Sequence, residues 1–457
     1  MESSAQDMGG REAIARGAGE TGQTLGARGS LEVGVALFSM FFGAGNLIIA
    51  PLLGVQAGPN AVVATLGYLV SGVGLPIAAI VAIARAGTAG ALLDRIGTRF
   101  SRVFAILTYL AIGPLLAIPR TASTSFEMVR PLLPSGGDAG AFRLLFSLAF
   151  FAAALAFALH PARIVRLMGK VTGPLLIAFL VLMVAAQVVA PAGDPLPTAQ
   201  AGYAAAPAVA GFLQGYQTLD LLASLAFGVV ITSSIRGLGV TRPDAVARQV
   251  ARSGVVAGAL MAVVYCALSY LGARMGTVMP QAQNGAEVIS LAASMHFGTA
   301  GTVLTAAVFL IACFNVCVGL VSSIGEYFAK TFPRLPYRTW AVLIAVVSCG
   351  LSNVGLTAIL SYSVPVLKAL YPMGICTVAM GLVHGSQRHV LPWRVSMACV
   401  GVVSTLSALR DAFAPGITLP LDLLPLSSMG LGWVVPGILG LVAGTVVGEI
   451  ARAHHAC

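Results

Sequence analysis

Apolar runs of about 20 residues, enough to cross a bilayer's hydrocarbon core as a helix, recur along almost all of this 457-residue chain. They fall near 31–57, 60–84, 103–129, 144–160, 171–190, 211–235, 253–273, 297–328, 339–356, 358–383, 395–410 and 430–450. In lipid every backbone N–H and C=O must bond within the protein, which leaves only helices or a closed barrel. A barrel would be written in alternating segments of roughly ten residues, and the chain has none. Composition agrees: 58% of residues are hydrophobic and 9% charged, against roughly 25% charged in soluble proteins. The expected fold is an all-α polytopic membrane protein with about twelve transmembrane helices.

Residues 1–30 are polar and mixed in charge (Glu2, Asp7, Arg11, Glu12, Arg16, Glu20, Arg28). They lack the short apolar stretch and small-residue cleavage site of a signal peptide, so a disordered cytoplasmic tail ahead of an uncleaved first helix is expected. The seven cysteines form no C-x-x-C pair and read as small packing residues, not as a disulfide or metal set.

Basic residues set the orientation. One set of alternate loops holds sixteen: Arg85, Arg95, Arg99, Arg102, Arg163, Arg166, Lys170, Arg236, Arg242, Arg248, Arg252, Lys330, Arg334, Arg338, Arg388 and Arg394. The opposite set holds four, Arg130, Arg143, Arg274 and Arg410. Both termini are therefore expected in the cytoplasm. The net charge of +10 is spread over loops as a topology signal and does not form a patch for nucleic acid.

Two spans carry letters that a continuous lipid-facing helix avoids. The first reads "FFGAGNLIIAP" (Phe41–Pro51), with two glycines, an asparagine and a proline. The sixth reads "GFLQGYQTLDLLASLAFGVVI" (Gly211–Ile231), with Gln217, Thr218 and an ionisable Asp220. Non-helical backbone survives at membrane depth only where protein buries it or it lines a cavity. Half-helix N-termini then attract a carboxylate, and freed carbonyls hold a cation or an ammonium. The two spans occupy matching places in two five-helix blocks, 31–190 and 211–384, with two further helices over 393–450. Paired interruptions of this kind point to a transporter site, and an intramembrane carboxylate is itself a functional signal.

Five stretches carry a resemblance. "LFSMFFGAGNLIIAPLLGVQAG" (Leu37–Gly58), "AIGPLLAIPRTASTSFE" (Ala111–Glu127), "GYQTLDLLASLAFGVVI" (Gly215–Ile231), "VGLVSSIGEYF" (Val318–Phe328) and "SVPVLKALYP" (Ser363–Pro372) resemble the branched-chain amino acid:cation symporters of bacteria. The resemblance implies a leucine-transporter-type inverted repeat with broken helices one and six. It further implies uptake of Leu, Ile and Val across the bacterial inner membrane, driven by sodium or protons, with no obligate protein partner. Sodium as a coupling ion is then the sole candidate cofactor.

Carried over residue by residue, the resemblance implies a substrate site of Gly43, Ala44, Gly45, Asn46, Gln217, Thr218, Asp220, Ser224 and Phe227. The amides of Ala44 and Gly45 would meet the carboxylate. The sixth-helix break would fall between Asp220 and Ser224, and Phe227 would shape an apolar pocket. A coupled cation would involve Ser39, Phe42, Asn46, Ser322 and Ser323. Family members usually carry threonine where this chain has Val316 and Val321, and a valine offers no oxygen to a hard cation. Lys368 stands mid-span, either as a buried cation that takes part in coupling or as a lysine snorkelling to the interface. Proton coupling, or sodium held by Ser322 with Asn46, is expected in place of a full sodium site. Arg120 and Glu127, two turns apart on one helix face, read as parts of an outer gate or as a buried structural pair. Glu326 reads as an interfacial partner of Lys330 at i+4.

A membrane enzyme would need a nucleophile, base or metal constellation within the spans, and a channel a symmetric filter motif. The sequence shows neither. A carrier of another small solute, a different neutral amino acid or a nucleobase, on the same fold is the remaining alternative.

Overall fold

A computed structural model describes residues 25–134, 138–159, 173–383, 389–414 and 416–456. Among them every regular element is helical. Arg163, Arg166, Lys170 and Arg388 of the topology signal lie outside the described residues, as does the expected tail up to residue 24.

The first span is two helices, α1 (Ala27–Phe41) and α2 (Ala44–Ala57). α1 begins inside the segment expected to be tail. Between them the chain leaves helical geometry at Phe42 (φ −77°, ψ 88°) and Gly43 (φ −120°, ψ −166°). The second span is α3 (Ala61–Leu69) and α4 (Leu75–Ala86), joined by one wide turn over Val70–Gly74. After the short α5 (Ala89–Asp94), α6 (Thr98–Leu110) and α7 (Ala117–Val129) form the third. Their kink lies at Gly113 and Pro114, where proline removes a ladder hydrogen bond. α8 (Ala139–Ala158) and α9 (Gly173–Val189) follow.

The second block opens with α10 (Ala201–Ala205), α11 (Pro207–Gln214) and α12 (Asp220–Gly237). α13 (Pro243–Arg274) is continuous, and α14 (Gly285–Thr331) is divided at Gly298, which adopts φ 57°, a conformation that glycine takes without steric cost. α15 (Tyr337–Ser352), α16 (Leu356–Leu382), α17 (Val390–Phe413) and α18 (Val434–Ala456) complete the chain. Among the described residues the expected spans are largely helical. By length and apolarity alone, seven helical stretches among the described residues suffice to cross a membrane, with three shorter apolar helices beside them.

The packing has a pattern. α2 packs on α13 as α11 packs on α3; α7 packs on α14; α8 packs on α14 as α15 packs on α7; α9 packs on α13 as α16 packs on α4. Exchanging spans one to five for six to ten carries every one of these pairings onto another or onto itself. Two pairings depend on missing side chains. A Cβ at Gly272 would collide with the main chain of Pro51, and one at Gly211 with that of Ala64. α17 and α18 pack on each other, and α17 packs on α16.

Candidate functional site

Both interrupted helices aim their breaks at one small cavity. The sixth-span break runs over a tight turn, Gly215–Thr218, and ends at Leu219, which is left-handed at φ 68°. It therefore falls before Asp220 and not between Asp220 and Ser224 as expected. Asp220 opens α12, where a carboxylate complements the helix N-terminus. Ser224 lies within that helix, donating to the carbonyls of Asp220 (2.8 Å) and Pro76 (3.1 Å). Its hydroxyl serves the backbone and does not line the cavity.

The Asp220 carboxylate is 3% exposed and is held from two sides. Asn46, in the first turn of α2, donates through Nδ2 to Oδ2 at 2.7 Å. Tyr265 of α13 donates its hydroxyl to the same oxygen at 3.3 Å, and Asn46 also bonds that hydroxyl. The Thr218 hydroxyl donates to the Gly215 carbonyl (2.9 Å) and accepts from the Asp220 N–H (3.3 Å). Tyr265 went unremarked in the sequence because a tyrosine in an apolar span reads as core.

Arg120 is also here. It is 3% exposed, and its guanidinium donates to the carbonyls of Gln217 (Nη1, 2.6 Å) and Thr218 (Nη2, 3.4 Å). Those carbonyls end the first half of the broken sixth span and would otherwise be unpaired. The guanidinium also lies against Gly45, where an added Cβ would overlap it. Glu127 is elsewhere, with Arg130 (3.6 Å) and Arg143 (3.7 Å) at the far end of α7. The expected gate pair is thus divided: one member stands in the central site, the other at the helix end.

The cavity, ≈ 30 Å³, is lined by Gly43, Gly45, Asn46, Arg120, Thr218 and Asp220 on its polar side. Met40, Phe41, Ile112, Ala223, Phe227, Val316 and Leu320 form its apolar wall. Phe227 meets Phe41 edge to face at 5.4 Å. Gln217 does not line the cavity: its carbonyl accepts from Arg120, and its side-chain Oε1 is buried without a partner. Ala44 opens α2 behind Gly43, so the backbone amides of Ala44 and Gly45 have no intrahelical acceptor.

The expected cation ligands are dispersed. Ser39 precedes the break by one turn, with its hydroxyl buried and unpartnered, and Phe42 lies in the break with its ring stacked on Tyr265. Ser322 and Ser323 do not line the cavity. They sit beyond Leu320, beside Gly325, which faces the ring of Tyr337. Val316 is what faces Gly43, at 3.1 Å from a Cβ built there. Lys368 is neither buried nor near the break: 37% exposed, it pairs with Asp411 at 2.6 Å. Arg410 bridges Asp411 (2.8 Å) to Asp422. Asp422, in the loop after α17, is held below the usual carboxylate range by the Leu419 N–H and the Arg410 guanidinium.

Comparison with known proteins gives one answer at the level of sequence. The family described as "Branched-chain amino acid transport protein" matches residues 27–451. The branched-chain amino acid transport system 2 carrier protein of Pseudomonas aeruginosa is 38% identical, over 91% of this chain and 95% of its own. The branched-chain amino acid permease BraB of Bacillus subtilis is 36% identical, over 93% and 96%. Among solved structures, the inward-facing conformation of Mhp1 superposes with a TM-score of 0.61 at 14% identity, covering 92% of this chain and 91% of Mhp1. That last likeness shows a shared fold.

Proposed function

The chain belongs to the family of branched-chain amino acid transport proteins, and from that premise we propose how it works. It is a multi-pass membrane carrier of branched-chain amino acids, with the leucine-transporter-type fold, and not an enzyme. The proposal is import of leucine, isoleucine and valine across the bacterial inner membrane by alternating access, with both termini cytoplasmic. We take the twelve spans as two inverted five-helix repeats plus a C-terminal pair; the reciprocal packing of the two blocks supports this.

One observation carries the site assignment: both breaks open on the same cavity, and Asn46 joins them by its bond to Asp220. The substrate's carboxylate meets the free amides at the start of α2, and its ammonium meets Asp220. Phe41, Phe227 and Leu320 enclose the branched chain. Such a wall separates homologues by only about 1–3 kcal/mol per methylene, so all three amino acids pass. The driving ion is the proton, carried by Asp220, because Val316 stands where an oxygen ligand for sodium would be needed. Glu127, with Arg130 and Arg143, remains as part of an outer gate.

Proteoliposomes test this with labelled leucine and a panel of competing amino acids and nucleobases. An inward proton gradient at equal sodium on both sides should drive accumulation, with isoleucine and valine competing and nucleobases inert. Saturable accumulation driven by a sodium gradient at clamped pH overturns the proton reading, and competition by nucleobases overturns the substrate.

A further inference from the structure

The Arg120 guanidinium and the first turn of α2 face each other with the same sign. The start of a helix carries roughly half a positive charge, and the cation lies against Gly45, two residues past the helix cap at Gly43. Burying an arginine this deep is costly, and setting it against a helix N-terminus adds to the cost unless an anion shares the space. Asp220 does not fill that role by contact. Its hydrogen bonds come from Asn46 and Tyr265, and no Arg120–Asp220 ion pair occurs among the described residues. Two of the guanidinium nitrogens are committed to the Gln217 and Thr218 carbonyls, while Nε is buried without a partner. The other charged or titratable groups near the pair are Tyr68, Tyr265, Tyr371 and Cys313, none of them anionic at neutral pH.

We propose that Arg120 is the charge partner of the substrate's carboxylate, which docks between its guanidinium and the amides of Ala44 and Gly45. This rests on the transport reading above and adds the specificity-determining residue that the broken helices alone do not supply. Gly45 is required because any side chain there would occupy the guanidinium's place. The site then reads a zwitterion at both ends: a fixed cation for the carboxylate, and Asp220 for the ammonium. The arriving carboxylate supplies beside the guanidinium the anion that Asp220, bonded to Asn46 and Tyr265, does not supply by contact.

The test uses the full-length protein in nanodiscs and two compounds, leucine and isoamylamine, which is leucine without its carboxylate. Arg120→Gln should weaken leucine binding on the order of ten- to a hundred-fold, the range of a hydrogen bond to a charged group, and leave isoamylamine binding nearly unchanged. Arg120→Lys should fall between, since it keeps the charge but loses the fork. Equal weakening of both compounds would make Arg120 a clamp for the Gln217 and Thr218 carbonyls and overturn the proposal. If neither variant can be purified folded, the wild type decides: isoamylamine binding as tightly as leucine overturns it. A wild type that binds isoleucine, valine and leucine no better than nucleobases would strike the transport reading itself.

Discussion

Asn46 and Asp220, 174 residues apart in the chain, are joined by a 2.7 Å hydrogen bond across the two helix breaks. Each sits in the first turn of the half-helix that follows its break, so the bond ties together the two segments that must move if the cavity is to open in turn to each side.

Asp220→Asn preserves shape and the possibility of bonding to Asn46 but removes both charge and titratable proton. Concentrative uptake should fall by an order of magnitude or more while membrane insertion is retained. The check is uptake against expression, measured from about pH 5.5 to about pH 8. An unaltered rate across that window places the residue outside the mechanism.

Gly45→Val should abolish leucine binding in a protein that still inserts and runs as a single species by size exclusion. The added side chain meets the Arg120 guanidinium and covers the amides behind it. Wild-type affinity by scintillation proximity would refute the assignment of this turn.

Tyr265→Phe removes one donor from the Asp220 carboxylate and leaves Asn46 in place. The loss of one hydrogen bond to a charged group, about 1.5–3 kcal/mol, should appear as weaker coupling between pH and uptake without loss of folded protein. A pH profile identical to wild type would reduce the tyrosine to packing.

How far the sequence disclosed all this depended on which atoms make each feature. The first break was legible because Gly43 stands at it, in an apolar stretch that also carries Gly45 and Pro51. The second was placed several residues too late because its pivot is Leu219 at φ 68°, a left-handed leucine that no composition signals. Arg120 and Glu127 share a helix face, and that periodicity suggested a pair. Seven residues of helix, about 10 Å, in fact separate a central site from a helix end. Lys368 read as a buried cation or as a snorkelling lysine because its own span is apolar, whereas its partner Asp411 comes from α17, a neighbour that only tertiary packing reveals.

Lys368→Met should therefore leave the identity of the driving ion unchanged. The pair is more than a third exposed on the lysine side, so its loss should cost under about 1 kcal/mol of stability. A switch in ion dependence would return the lysine to the coupling machinery.

The loop after α17 offers a pH prediction with a definite sign. Because Asp422 is held below the ordinary carboxylate range, its bonds to Leu419 and Arg410 are present at neutral pH and are lost only as pH falls through that lowered value. Proteolytic cleavage within residues 414–433 should proceed at equal rates at pH 7 and at about pH 5; faster cleavage at the lower pH would contradict it.

Where Gly272 meets Pro51 and Gly211 meets Ala64, main chain lies on main chain with nothing between. A seam of that kind holds no rotamer that can flip to absorb a displacement, so a push on one helix is delivered whole to its neighbour. α2 and α13, and α3 and α11, are each joined by such a seam. Phe42–Gly43 and Leu219, beside the cavity, are joints at which the chain leaves helical geometry. The carrier's moving bodies are outlined by side chains that are not there.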